Sequence, residues 1–190
     1  MYFSYIDYTK GVAFVKACGL IVEYNPFHNG HLYHVTEAKR ITNADCMIAV
    51  MSGTFLQRGE PAIIDKFHRT RAALLAGVDI VVELPYAYAV QSSHLFAKGA
   101  VHTLHALQVD AICFGSESGD ITAFYDAAHK INKHKATYDA AVKEYVSQGE
   151  PFPLASQKAY EQIGLEEIDL VQPNNILGFS YVRTIVDDHL

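Results

Sequence analysis

The sequence predicts an α/β fold built on a doubly wound, parallel β-sheet with further helices at its C-terminal end. Four short apolar runs alternate with segments of helical periodicity, which is typical of βαβ units. Leu20, Ile21 and Val22 form an unbroken apolar run, as expected for a strand buried on both faces of a parallel sheet. The predicted strands are residues 17–22, 46–51, 80–84 and 111–114, and the helices between them are residues 31–41, 66–76 and 93–107.

The first predicted strand runs into a turn that carries two histidines. Asn25 and Pro26 end the strand, and His28 and His31 follow on either side of Gly30. Gly30 allows a close approach of the backbone to a ligand, and the following helix points its first free N–H groups back at the turn. Because helix N-termini attract anions and imidazoles donate hydrogen bonds, this segment predicts a phosphate site.

Polar or glycine-containing segments also follow the other three predicted strands. Right-handed crossovers place the carboxyl ends of parallel strands at one edge of the sheet, where ligands bind. We therefore expect one cleft lined by the histidine turn and by residues 52–54, 83–85 and 115–117. Within these segments, Glu83 and Glu117 are either metal ligands or loop caps, and both interpretations stay open.

The pattern changes to helices after Gly119. Residues 121–146 and 154–163 have helical composition, and the polar turn 172–175 is predicted to cap a last helix that begins near Ile176. These helices are interpreted as a continuation of the same domain.

We divide the chain into a nucleotide-binding core, residues 15–119, a helical continuation, residues 120–190, and an N-terminal extension, residues 1–14. The extension is rich in tyrosine and phenylalanine but has no clear hydrophobic period. Residues 10–12 (Lys-Gly-Val) are what a ribosome-binding sequence would encode if it were translated, and Val15 could correspond to a GTG start codon. We therefore predict that residues 1–14 are a mis-assigned or added extension.

Length, charge and hydropathy exclude several classes of protein. The 190 residues are enough for one well-buried domain but not for a second full domain. Half of the residues are hydrophobic, yet no apolar run approaches the ~20 residues of a membrane span. The net charge of −6 argues against a nucleic-acid-binding surface spread over the whole chain. We expect a globular, cytoplasmic protein without a membrane segment.

Two local basic clusters are candidates for an RNA contact. One is Lys39-Arg40 at the end of the first predicted helix, and the other consists of Arg58, Lys66, His68, Arg69 and Arg71. From the residues alone, a solvated helix face with ordinary ion pairing is the favoured interpretation.

The cysteines and histidines do not predict a metal site. Three widely spaced cysteines each lie in a predicted strand and are expected to be buried, reduced thiols: Cys18, Cys46 and Cys113. A zinc site made of His28, His31 and His34 is the alternative. It is disfavoured because no Cys, Asp or fourth His lies nearby at ligand spacing.

The histidine turn and four further blocks resemble the bacterial tRNA(Met) cytidine acetate ligase family of the HIGH-type nucleotidyltransferase superfamily. The turn, from Asn25 to His31, reads Asn-Pro-Phe-His-Asn-Gly-His, where adenylyltransferases of the superfamily usually begin with Asp. The other blocks are residues 51–61, 82–85, 114–117 and 172–178. The resemblance extends from Lys16 over nearly the whole chain and implies a Rossmann-like core.

The resemblance also implies an ATP-dependent ligase. Acetate would attack the α-phosphate of ATP and expel pyrophosphate, and the acetyl group would pass to N4 of the wobble cytidine in elongator tRNA(Met). His28 and His31 are the expected catalytic residues, with Mg²⁺ accompanying ATP, and Thr54, Gln57 and Arg58 are expected to contact acetate or tRNA. The expected ATP contacts are Ile21, Val22, Glu23, Tyr24, Asn25, Pro26, Phe27, His28, Asn29, Gly30, His31, Leu32, Tyr33, His34, Gly115 and Asn175.

Two other functions fit the same residues. One is an adenylyltransferase that joins ATP to a phosphate-bearing small molecule and forms a dinucleotide. The other is a nucleotide-binding or RNA-binding module without catalysis. Pyrophosphate release that depends on a carboxylate favours the ligase, release that depends on a phosphate acceptor favours the adenylyltransferase, and no release favours the module.

Enzymes of the superfamily pair the histidine turn with a second phosphate-binding motif, which in this family resembles Ile-Ser-Ser-Thr-x-Ile-Arg. The one Ser-Ser pair here, Ser92-Ser93, is followed by His94-Leu95-Phe96 and has no Arg. Family members also continue beyond the block at residues 172–178. We therefore expect the chain to be an N-terminal fragment or truncated product with half of the ATP site and little of the tRNA-binding surface. Such a fragment would bind ATP weakly.

Overall fold

The computed structural model describes residues 2–7, 15–165, 168–170 and 172–190. The strands are β1 (Tyr2–Asp7), β2 (Ala17–Val22), β3 (Cys46–Ser52), β4 (Ile80–Leu84) and β5 (Ala111–Ser116). The helices are α1 (Asn29–Thr42), α2 (Lys66–Leu75), α3 (Tyr86–Ala89), α4 (Ser93–Ala106), α5 (Ile121–Lys133), α6 (Lys135–Ser147), α7 (Phe152–Gln162) and α8 (Pro173–Asp188). Within these ranges, no helix is long and apolar enough to cross a membrane.

The sheet has the strand order β1-β5-β2-β3-β4. Strands β2 to β5 are parallel, and β1 is antiparallel to β5. The chain proceeds from β2 outward to β3 and β4 and then returns to β5 on the other side of β2. This reversal creates a switch point between β2 and β5, where doubly wound sheets bind their ligands. The predicted α/β fold with a doubly wound parallel sheet is confirmed.

Helices cover both faces of the sheet, so the residues of a strand alternate between two cores. Along β3, Met47 and Ala49 pack in the core under α1 and α2, whereas Ile48 and Val50 belong to the core under α4 and α8. Both faces of the strand are therefore buried, which explains why the strands read as continuous apolar runs.

The C-terminal helices differ in detail from the prediction. The segment 121–146 forms two helices, α5 and α6, which meet at His134. Helix α8 begins at Pro173, three residues before the predicted start, because proline fits the first turn of a helix. A Cβ on Gly178 would lie 2.4 Å from the Phe114 ring, so α8 packs closely on β5. The short helix α3 was not predicted from the sequence.

Strand β1 was also not predicted. It pairs along the whole of β5, from Tyr2 opposite Ser116 to Asp7 opposite Ala111. Residue 1 and residues 8–14 of the expected extension lie outside the described residues. The hypothesis that residues 1–14 are a mis-assigned or added extension therefore stays a prediction.

The three cysteines are free thiols. Cys18 and Cys113 are fully buried, and Cys46 is half-buried. Burial raises the pKa of Cys18 to about 11 and also raises the pKa of Cys46 and Cys113. Because the thiolate is the reactive form, these cysteines are inert packing residues at neutral pH.

Candidate active site

The two histidines of the turn cap helix α1 reciprocally. His28 is the N-cap residue, with an extended backbone, and its Nδ1 accepts a hydrogen bond from the Gly30 N–H at 3.0 Å. The Nδ1 of His31 accepts a hydrogen bond from the His28 N–H at 3.3 Å. The sequence predicted that the first N–H groups of this helix are free for a ligand. In the structure, however, the N–H groups of Gly30 and His31 both bond to His28. The imidazoles themselves become the donors at this helix end.

The cap fixes which nitrogen of each ring can donate. A neutral imidazole has one donor and one acceptor, and here Nδ1 is the acceptor in both rings. The proton therefore resides on Nε2 in His28 and in His31. The two rings stack with centroids 3.7 Å apart and an interplanar angle of 24°. Each ring thus keeps its Nε2–H group as a donor, and the two rings lie close enough together to bind neighbouring phosphate oxygens.

His31 is neutral at physiological pH. Burial, together with the nearby His28 and His34, lowers its pKa to about 4. Burial likewise lowers the pKa of His34 to about 4, opposed by a hydrogen bond with the Cys113 backbone. Neutral His31 can keep Nδ1 as the acceptor of the cap, whereas the imidazolium form would have two donors and would break it.

We expect acidification to destabilise the protein through these histidines. In the folded state His31 and His34 titrate near 4, whereas in the unfolded chain they titrate at their ordinary value of 6.5. Between these values the unfolded state binds more protons, so the free energy of unfolding falls as the pH is lowered from about 6.5 toward 4. Urea unfolding at about pH 7, 6 and 5 measures this slope.

The matched control for the pH experiment is His31→Gln. Glutamine can still accept the His28 N–H at this position of a capping box but does not titrate. Its stability should therefore depend less steeply on pH than that of the unmodified protein. Identical slopes would show that His31 does not contribute to the pH dependence.

Gly30 is required by the close approach of the His28 ring. A Cβ at this position would lie 2.9 Å from Cε1 and 3.1 Å from Nδ1 of His28. Any larger residue would push the imidazole away from the Gly30 N–H. The absence of a side chain at Gly30 therefore leaves the space that the His28 ring needs to accept the Gly30 N–H.

A cavity of about 640 Å³ opens at the switch point between β2 and β5. Its walls come from the end of β2, the start of α1, the segment after β3, the end of β5 and helices α4 and α8. Many of the predicted ATP and substrate contacts line this cavity: Ile21, Val22, Glu23, Tyr24, Asn25, His28, Gly30, His31, His34, Gln57, Arg58 and Gly115.

Other predicted contacts lie beside the cavity but do not line it. Pro26, Asn29, Leu32 and Tyr33 belong to the same turn and helix, and Thr54 precedes the segment that does reach the cavity. Phe27 packs edge-on against buried Tyr24, with ring centroids 4.7 Å apart. Nucleotide contacts by these residues stay predictions.

The cavity is also lined by residues that were not among the predicted contacts: Leu56, Glu60, Phe96, Phe114, Asn174, Leu177 and Tyr181. Asn174, Leu177 and Tyr181 recur at helical spacing on α8. This spacing is the sequence signal that could have identified the face of α8 that meets the site. Phe96 comes from α4 and had no such signal, because its place depends on how the helices pack.

The segment after β3 folds into a hairpin that is fastened to the end of β2. Phe55 and Pro61 form a β-bridge at its base. The Gln57 N–H donates to Oε1 of Glu23 at 2.7 Å, and the Ile63 N–H donates to Oδ1 of Asn25 at 2.7 Å. We call residues 53–64 the strand-3 hairpin. It carries Arg58, which is exposed, to the rim of the cavity.

Glu117 caps helix α8. Its carboxylate accepts hydrogen bonds from Asn174 Nδ2 at 2.8 Å and from the Asn175 N–H at 2.9 Å. The side chain of Asn175 is buried and accepts the Glu117 N–H at 3.0 Å while donating to the Asp169 carbonyl at 3.0 Å. Asn174 lines the cavity, and Asn175 holds the loop behind it. A nucleotide contact by Asn175 stays a prediction.

The basic cluster divides in the structure. Lys66 pairs with Glu83 at 2.6 Å, which agrees with ordinary ion pairing, and Nδ1 of His68 lies 2.5 Å from Oδ2 of Asp65. For Arg69, however, the expectation of a solvated side chain is wrong, because its side chain is fully buried.

In the part of the chain that the structure describes, the acidic and metal-ligating residues do not gather around a common centre. Glu83 pairs with a lysine and Glu117 caps a helix, so both act as loop-holding groups. Among the described residues, no three His, Cys, Asp or Glu side chains are placed to hold a metal ion, and this includes the His28, His31 and His34 set.

A switch-point cavity with two stacked histidines at a helix N-terminus is typical of a nucleotide-binding α/β domain of the nucleotidyltransferase class. The family model of the HIGH Nucleotidyl Transferases matches residues 15–189, and the chain belongs to this family. The match begins at Val15 and does not include the N-terminal 14 residues.

Curated relatives and solved structures agree with this assignment. The tRNA(Met) cytidine acetate ligase of Geobacillus sp. (strain WCH70) is 55% identical over 176 residues, which are 93% of this chain and 44% of the relative. The ligase of Bacillus subtilis (strain 168) is 51% identical over 174 residues, or 90% of this chain and 42% of the relative. The resemblance predicted from the motifs is confirmed.

The solved structure of Thermotoga maritima TmcAL bound with alpha-thio ATP superimposes with a TM-score of 0.82 at 42% sequence identity. The match covers 92% of this chain and 44% of the TmcAL chain. The chain thus spans less than half the length of the curated relatives and of the structure that it matches.

Proposed function

We propose that this chain carries the adenylate-forming site of a tRNA(Met) cytidine acetate ligase. The observation that carries the proposal is the stacked His28–His31 pair, whose cap leaves two Nε2–H donors beside a cavity of about 640 Å³. The names of the relatives and the ATP analogue in the Thermotoga maritima structure support ATP and tRNA(Met) as substrates.

In the proposed reaction, an oxygen of acetate attacks the α-phosphorus of ATP. The bond between the α-phosphorus and the oxygen that bridges to the β-phosphate then breaks. Acetyl-adenylate and pyrophosphate are the products. The chain supplies alignment and charge stabilisation instead of a nucleophile: the two Nε2–H groups donate to phosphate oxygens as charge develops on them. Mg²⁺ enters with ATP as part of the substrate and screens the charge of the phosphate tail.

The second half of the proposed activity transfers the acetyl group to N4 of the wobble cytidine in elongator tRNA(Met). The amine attacks the carbonyl carbon of acetyl-adenylate, loses a proton, and AMP leaves. This step takes place in the cytoplasm, where charged and uncharged tRNAs are found. The names of the relatives support this step.

A pyrophosphate-release assay with ATP tests the proposal. Release that requires acetate supports the ligase, whereas release that requires a phosphate-bearing acceptor supports the dinucleotide-forming adenylyltransferase. ATP binding without release under either condition supports a non-catalytic module. Adding bulk tRNA and analysing its nucleosides by mass for N4-acetylcytidine tests the second half separately.

We expect Arg58→Ala to impair the use of acetate. Arg58 is the exposed cation on the cavity rim, and a charge-assisted hydrogen bond to a carboxylate contributes about 1.5–3 kcal/mol. The KM for acetate should therefore rise roughly tenfold to a hundredfold, with little change in ATP affinity. Arg71→Ala is the matched control, since Arg71 is exposed on α2 and does not line the cavity. If titrations with acetate and tRNA were both unchanged in Arg58→Ala, the strand-3 hairpin would have only a structural role.

A further inference from the structure

Arg69 has an unusual environment for a charged residue. It lies in α2 with a side chain that is 1% exposed, the largest of the fully buried side chains. Its Nη1 donates to the carbonyls of Glu23 at 2.6 Å and Ser52 at 3.0 Å, and its Nη2 donates to the carbonyl of Gly53. Its Nε donates to the Ile64 carbonyl at 2.9 Å. One guanidinium group thus binds four backbone carbonyls.

These carbonyls belong to the segments that build one side of the cavity. Glu23 follows β2 and leads into the histidine turn, whereas Ser52 is the last residue of β3 and Gly53 is the first residue of the strand-3 hairpin. Ile64 closes that hairpin just before α2. Arg69 therefore joins the segment that leads into the histidine turn to the strand-3 hairpin.

Among the residues that the structure describes, no carboxylate is hydrogen-bonded to the Arg69 guanidinium. Burial lowers the pKa of the guanidinium, while Glu23, Asp65 and Glu83 raise it through space. Arginine nevertheless stays protonated in proteins, so the carbonyl dipoles stabilise a permanent charge. A planar fork with five N–H donors can reach four carbonyls in fixed directions, which an ammonium group with three donors cannot reproduce.

We propose that Arg69 is a positioning residue for adenylate formation. It sets the distance between the histidine donors and the strand-3 hairpin, whose residues Gln57 and Arg58 line the same cavity. The side chains of Glu23 and Asn25 join the same two segments by their bonds to the Gln57 and Ile63 N–H groups. This inference rests on the proposed function, because positioning is defined toward the reacting phosphate and carboxylate.

The test compares Arg69→Lys with Arg71→Lys, the same substitution on the same helix at an exposed residue. We expect Arg69→Lys to lower kcat for acetate-dependent pyrophosphate release at least about tenfold while the KM for ATP changes less than threefold, because misplacement acts most strongly in the transition state. Arg71→Lys should behave like the unmodified protein. A similar kcat in both variants, or an equal change of kcat and KM, would overturn the proposal.

Amide hydrogen exchange gives a readout that does not need activity. Arg69→Lys should speed exchange in residues 23–27 and 52–58, with the exchange of β5 and α8 unchanged. Faster exchange over the whole chain, or failure to fold even in stabilising sucrose, would show that Arg69 serves the fold in general and would overturn the proposal. If the unmodified protein releases no pyrophosphate with acetate, the proposed function fails, and the local exchange together with ATP affinity still decides whether Arg69 positions the two segments.

Discussion

His28→Ala and His31→Ala are each expected to lower the rate of acetate-dependent pyrophosphate release by roughly a hundredfold or more while weakening ATP binding much less. Each substitution removes one Nε2–H donor from the stacked pair at the cavity. A donor aimed at the position where charge develops contributes more in the transition state than in the ground state. Steady-state kinetics and equilibrium ATP binding, measured on the same preparations, check the expected difference.

Alanine at either position also removes a bond of the helix cap, so matched variants must separate the two roles. His28→Asn keeps a good N-cap acceptor, and His31→Gln keeps an acceptor for the His28 N–H. We expect both to preserve thermal stability within a few degrees and to lose as much activity as the alanine variants. If either variant kept near-normal activity, the corresponding histidine would act through the cap and not through its Nε2–H group.

The fold could be predicted from the sequence because local pattern and tertiary environment agree. The run Leu20-Ile21-Val22 is buried as a parallel strand, and the start of β2, β3 and β4 matches the predicted residues. The histidine turn was predictable for a similar reason, because its conformation depends on contacts between residues at most three positions apart in the sequence, such as those between Gly30 and the two histidines. Strand β1 was missed because its residues have no alternating pattern and it depends on its partner β5.

The parts of the site that were not predicted depend on long-range packing. Arg69 lies in an amphipathic helix among solvated basic residues, and only the meeting of three backbone segments explains its burial. Nothing in the local sequence distinguishes it from Arg71. Glu23 and Asn25 were among the expected ATP contacts and line the cavity, and the bonds of their side chains to the strand-3 hairpin likewise depend on long-range packing.

Substitutions of the neighbouring residues Asn174 and Asn175 separate ligand binding from structural stability, because Asn174 lines the cavity and Asn175 holds the loop behind it. Asn175→Ala is expected to lower the free energy of unfolding by about 3 kcal/mol, because it removes a buried amide that bonds both the Glu117 N–H and the Asp169 carbonyl. For a chain of this size the melting temperature should fall by roughly 6–12 °C. Asn174→Ala loses one exposed hydrogen bond to Glu117, so its melting temperature should change little.

Nucleotide binding should show the opposite order. Asn174 lines the cavity, so Asn174→Ala is expected to weaken ATP binding severalfold, whereas folded Asn175→Ala, measured well below its melting temperature, should bind ATP nearly as well as the unmodified protein. Calorimetry for stability and equilibrium binding of ATP, applied to both variants, measure the two properties independently. A loss of ATP affinity confined to Asn175→Ala would mean that the buried amide of Asn175 contacts the nucleotide, as the family resemblance predicted. Because this amide is already bonded to Glu117 and Asp169, helix α8 would then have to shift when ATP binds.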